Sequence, residues 1–110
     1  MTRILVIVAV LLIAGGGGAA WWMAAADDKV TVDSIGDSVQ TRPRGQLPAF
    51  AEGQDAPALY TFAVAHPEIL NYMPCMCGCS DPSIGHTSNR SCYVKAETKD
   101  RVTFTSHAAT

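Results

Sequence analysis

Pro57-Ala58-Leu59-Tyr60-Thr61-Phe62-Ala63-Val64-Ala65-His66-Pro67-Glu68-Ile69-Leu70-Asn71-Tyr72-Met73-Pro74-Cys75-Met76-Cys77-Gly78-Cys79 changes character at Pro74. Before that proline the residues are helix-compatible. Leu59, Phe62, Ala63, His66, Ile69, Leu70 and Met73 recur at helical spacing and define the expected apolar face. Asp55 is the expected N-cap, and Pro57 suits a first turn. Pro67 either kinks this helix or opens a second one, with Glu68 favourable in the new first turn. Pro74 disfavours helical backbone at Met73, so the helix is expected to stop where the cysteines begin.

All four cysteines fall within 18 residues, at Cys75, Cys77, Cys79 and Cys92. In an extended strand Cys75 and Cys79 would face one way and Cys77 the other. Convergence of the sulfurs needs a turn, which Gly78 can supply because it takes positive φ without strain. Asp81-Pro82 and Ile84-Gly85 continue the loop to His86, and Cys92 brings the chain back. Met76 adds a thioether inside the run and His86 an imidazole in the loop. Thiolates and thioethers suit copper(I), so Cys75, Cys77, Cys79, Cys92, Met76 and His86 are the candidate metal ligands. Zinc is the metallic rival, although its structural sites use wider spacings of paired cysteines. The non-metallic alternative is a pair of disulfides. Cys75–Cys79 with Cys77–Cys92 is the relaxed pairing, because bridges between alternate cysteines of the run are strained. Met73 and His66 read as core or capping residues, and His107 as solvated.

Downstream, Tyr93-Val94-Lys95 and Val102-Thr103-Phe104 read as short strands around a polar turn at Thr98-Lys99-Asp100, a marginal β-hairpin. Upstream, Asp27 to Pro48 is punctuated by Gly36, Pro43, Gly45 and Pro48 and reads as a flexible tether with one short strand at Val30-Thr31-Val32.

Residues Ile4 to Ala26 carry no charge. Ile4 to Trp22 supplies 19 residues for a spanning helix, close to the ~20 a bilayer requires. Arg3 before it, Asp27 and Asp28 after it, and the Trp21-Trp22 pair at its end suit a single-pass anchor with the remainder outside the cytoplasm. A cleaved signal peptide, with core Ile4 to Ala14 and a small-residue site at Ala24-Ala25-Ala26, is the competing reading. Arg3 is the only charge before Asp27, so the remainder carries 7 basic and 10 acidic residues. No basic stripe exists, which argues against nucleic acid as a partner.

Four segments carry a resemblance. Leu47-Pro48-Ala49-Phe50, Tyr60 to Leu70, Pro74-Cys75-Met76-Cys77-Gly78-Cys79, and Gly85-His86-Thr87-Ser88-Asn89-Arg90-Ser91-Cys92-Tyr93-Val94 resemble the PCYCGC-motif proteins, exported or lipid-anchored proteins of bacteria. The resemblance covers residues 47 to 107. It implies a cysteine-centred site without naming its ligand. Met76 stands where the family motif has tyrosine. The family usually continues beyond a segment like Phe104-Thr105-Ser106-His107-Ala108 into a further cysteine pair and an amphipathic helix, which this sequence lacks.

The expected architecture is therefore a small, mostly α domain with a cysteine-rich loop and a short β-hairpin, behind one N-terminal transmembrane helix. Its parts are residues 1–26 as anchor or signal peptide, 27–48 as tether and 49–110 as cysteine-cluster domain. No nucleophile–base or carboxylate pair stands out, so the expected role is binding rather than catalysis. The expected function is handling of a soft metal, copper before zinc, at a membrane. The alternative is a disulfide-stapled module that docks to a membrane complex.

Overall fold

The computed structural model describes residues 1, 4–7, 28–76 and 85–109. Its centre is a four-stranded antiparallel sheet in the order β1-β2-β4-β3. The strands are β1 (Thr31–Val32), β2 (Ser38–Pro43), β3 (Val94–Glu97) and β4 (Arg101–Thr105). Helix α1 (Ala56–Ala65) and the single-turn helix α2 (Pro67–Leu70) lie between β2 and β3 in sequence. Two 3₁₀ turns, Asn89–Cys92 and His107–Ala109, precede β3 and follow β4. The expectation of a mostly α domain is thus corrected to a sheet with short helices. Polar sequence hid the sheet, because β2 reads Ser-Val-Gln-Thr-Arg-Pro and has no apolar alternation.

That strand lies inside the segment read as a tether, yet it pairs along its length with β4, from Val39↔Thr105 to Pro43↔Arg101. Its inward residue is Gln40, whose buried amide is satisfied at both ends. Gln40 Nε2 donates to the Asp28 carbonyl at 2.5 Å, and Gln40 Oε1 accepts from the Ala49 N–H at 2.7 Å. Full pairing removes the cost of burying a polar side chain. The β3–β4 hairpin forms around the expected polar turn, with a register irregularity between Val94 and Ala96.

The core lies between the sheet and α1. Val102 and Phe104 alternate on β4 and meet Tyr60 and Ala63 of α1, with Val94, Leu70 and Ala51 around them. Tyr60 contacts Phe50, Tyr93 and Phe104 edge-on, with ring centroids 5.9, 5.2 and 5.8 Å away. Its hydroxyl donates to the Thr105 carbonyl at 2.7 Å, so the ring is buried without an orphaned polar atom. Burial pushes the Tyr60 hydroxyl pKa well up.

The helices differ from the sequence reading in phase and length. The stripe facing the sheet is Ala56, Tyr60, Ala63 and Val64, whereas Leu59, Phe62, Ile69 and Met73 are exposed. Small Ala63 lets the helix approach the sheet, and Tyr60 reaches a backbone acceptor that Leu59 and Phe62 could not use. Asp55 occupies the N-cap position but makes no side-chain cap bond. Pro67 opens the second helix, with Glu68 in its first turn. That helix ends at Leu70, short of Pro74, and gives way to a turn at Asn71 and Tyr72.

No helix among the described residues is long and apolar enough to cross a membrane. The expectation of a single-pass helix over Ile4 to Trp22 is corrected on that finding. Residues 4–7 are helical, and residues 8–27 lie outside the described residues.

Candidate functional site

The chain leaves α2 through the Asn71–Tyr72 turn and reaches Cys75, which is buried. It returns through the 3₁₀ turn Asn89–Cys92, where Cys92 is buried as well. One bond joins these limbs, and another ties the second limb to α1. The Asn89 N–H donates to the Met73 carbonyl at 2.8 Å. Arg90 is buried and its Nε donates at 2.9 Å to the Ala63 carbonyl. Ala63 lies in the last turn of α1, where carbonyls lack intrahelical partners, so Arg90 caps the helix from the side.

Arg90 is itself oriented by charge. Its Nη2 lies 2.9 Å from Glu97 Oε1 on β3, and Glu97 Oε2 lies 3.0 Å from Arg44 Nη2. Partial burial pushes the Glu97 carboxyl up, but its bonds to Arg44 and Arg90 outweigh this and hold it below the ordinary 4.5. The turn carrying Cys92 is therefore fixed from below by α1 and from the side by β3.

The result is a sulfur pair. Cys75 Sγ and Cys92 Sγ are 3.5 Å apart, and Tyr93 packs against both residues. Burial pushes the Tyr93 hydroxyl pKa up, and the negative charge that Cys92 can carry adds to this. The phenol beside the sulfurs is thus held in its neutral form.

Of the six candidate ligands, the structure brings Cys75 and Cys92 together. Cys77 and Cys79 lie outside the described residues, as does Gly78. Met76 is 87% exposed, with its thioether in solvent. His86 follows Gly85, which takes φ +75°, and its ring packs against that of His107. Among the described residues, no three His, Cys, Asp or Glu side chains form a group able to hold a metal ion.

Sequence reasoning missed two residues. Arg90 read as an ordinary polar loop residue. Its signal was position, two residues before a cysteine and seven before an acid on the next strand. His107 read as solvated but is half-buried, with Nδ1 2.8 Å from Asp37 Oδ2. Nothing local in the sequence links positions 70 residues apart.

No curated protein and no solved structure matches this chain. The model of the family described as proteins of unknown function with a PCYCGC motif matches residues 4–110, and the chain belongs to that family.

Proposed function

We propose that this protein binds a soft metal ion, copper(I) first, through thiolates centred on Cys75 and Cys92. The observation that carries the reading is their 3.5 Å separation across 17 residues of sequence. In a tetrahedral thiolate site with metal–sulfur bonds near 2.3 Å, neighbouring sulfurs lie about 3.8 Å apart. The pair is thus close to the spacing at which two thiolates share one ion. Cys77 and Cys79 belong to the same five-residue run and supply the further sulfurs. Alternating cysteines fit the paired spacings typical of zinc poorly, and soft thiolates suit copper(I).

The same contact also favours a second reading, a Cys75–Cys92 disulfide in a metal-free module. It leaves Cys77 and Cys79 to each other, with one residue between them, a pairing that is strained as a bridge. Four thiols acting as one ligand set avoid that remainder.

The test is a competition titration of the reduced full chain with copper(I) against a chromogenic chelator, with zinc in a parallel series. A thiol count on protein purified without reductant accompanies it. Four reactive thiols and copper(I) withdrawn from the chelator support the metal site. No reactive thiols and no competition by the reduced chain would replace it with the disulfide module.

A further inference from the structure

The core does not close completely against the turn that follows β2. A cavity of about 390 Å³ remains between that turn and the second half of α1. Its volume falls within the ~300–1,000 Å³ of small-molecule sites. Val102 and Phe104 of β4 form its floor, with Leu47 of the turn and Val64 of α1 as walls. Thr61 and Ala65, both exposed, lie at the opening.

The polar groups that line this apolar hollow are few, and they are donors. Arg44 and Gln46 reach it from the turn. The Arg44 side chain is clamped. Its Nε donates to the Lys99 carbonyl at 3.1 Å, and its Nη2 donates to the Thr98 carbonyl at 2.7 Å and to Glu97 Oε2 at 3.0 Å. These bonds leave Nη1 with no partner among the described residues. Gln46 Oε1 accepts from Arg42 Nη2 at 2.7 Å, so its Nε2 remains as a donor. The Thr61 hydroxyl already donates to the Pro57 carbonyl at 2.8 Å. The turn itself is preformed. The Arg44 N–H donates to the Asp100 carbonyl at 2.8 Å and the Gln46 N–H to the Pro43 carbonyl at 3.0 Å. Gly45 between them takes φ +95°, which glycine adopts without strain.

Charge at the rim is positive. Glu97 lies 3.0 Å from Arg44 and 2.9 Å from Arg90, so one carboxylate serves two guanidiniums and the trio keeps a net positive charge. Donors and positive charge at one end of an apolar hollow select a molecule with an apolar body and an anionic head. A carboxylate is such a head near pH ~7, and the arginine fork matches its geometry. A peptide backbone would find few partners along the apolar walls, which favours a free acid over a chain terminus.

We infer that this cavity binds a small carboxylic acid with an apolar tail, of the fatty-acid type, with the tail on Val102 and Phe104 and the carboxylate at Arg44 and Gln46. The site uses none of the cysteines and stands or falls separately from the thiolate reading.

The experiment titrates the full chain with octanoate and, in parallel, with octanol, and follows the methyl resonances of Leu47, Val64 and Val102 by NMR. Saturable shifts at these methyls are expected, with octanol bound about tenfold or more weakly because it lacks the charge-assisted bond. Shortening the acid should weaken binding by up to about fourfold per methylene. Arg44→Gln should weaken octanoate binding about tenfold or more and leave octanol within about twofold, a split that loss of packing alone would not produce. Ala65→Phe, at the exposed opening, should weaken both ligands, and it keeps the test decisive should Arg44→Gln not fold. Equal affinity for octanoate and octanol, octanoate binding unchanged in Arg44→Gln or Ala65→Phe, or no saturable shift at these methyls would overturn the site. Tighter binding of N-acetyl-alanylleucine than of octanoate would overturn the free acid as its ligand.

Discussion

Cys75 and Cys92 contribute equivalent sulfurs to one contact, so their substitutions should have equivalent effects. Cys75→Ser and Cys92→Ser should each lower copper(I) affinity about tenfold or more in the chelator competition. Met76→Leu should change it by less than about twofold, because the Met76 side chain stands in solvent. A Met76 effect as large as the cysteine effects would show that the thioether moves in to bind. Arg90 acts one step behind the sulfurs. Arg90→Met keeps the length of the side chain but loses the bond to the Ala63 carbonyl and the pairing with Glu97. Removing such a charge-assisted bond should cost about 2–3 kcal/mol in urea unfolding. It should also weaken copper(I) binding, since the turn carrying Cys92 rests on Arg90. Full stability in that variant would mean that the Asn89–Met73 bond alone closes the loop.

At the scale of elements, β3 fixes that turn through Glu97. The Glu97 carboxyl has a lower pKa folded than unfolded. Its pairing therefore contributes stability above about pH 4.5 that is lost as the pH falls through the folded value. Glu97→Gln should reduce the difference in urea midpoint between about pH 7 and about pH 3. An unchanged difference would place the acid sensitivity elsewhere, with Asp33, whose hydrogen bond to Lys95 also lowers its pKa despite some burial, as the next group to test. The β3–β4 hairpin and the Pro67 helix start were legible in sequence because each has a local signal: Tyr93-Val94 and Val102-Thr103-Phe104 around a polar turn, and a proline before an acid. The phase of α1 was not. Counting apolar residues favours Leu59 and Phe62, but the sheet selects Tyr60 for its hydroxyl and Ala63 for its size. β2 was illegible for a related reason. Its buried residue is a glutamine whose partners, Asp28 and Ala49, are backbone groups of other segments. The closeness of Cys75 and Cys92 was expected from the loop, while the pairing of His107 with Asp37 depends on β2 lying beside β4 and left no sequence trace.

For the whole molecule, the consequence is that the folding unit starts upstream of the cysteine domain drawn from sequence alone. β2 is flanked by β1 and β4, and Gln40 ties it to both Asp28 and Ala49. A chain shortened to residues 28–110 should keep cooperative unfolding, while one starting after Pro43 should lose it. Retained cooperativity in the shorter chain would show that α1 and the β3–β4 hairpin suffice. The sheet and α1 serve the site by holding the limbs at Met73–Cys75 and Asn89–Cys92 against each other, so that two sulfurs distant in sequence meet under Tyr93. X-ray absorption at the copper edge of the copper(I)-loaded full chain tests this account most directly. A first shell of sulfur near ~2.3 Å that loses amplitude in Cys92→Ser is the expected result. A shell of nitrogen and oxygen only, or a sulfur shell unaffected by Cys92→Ser, would contradict it.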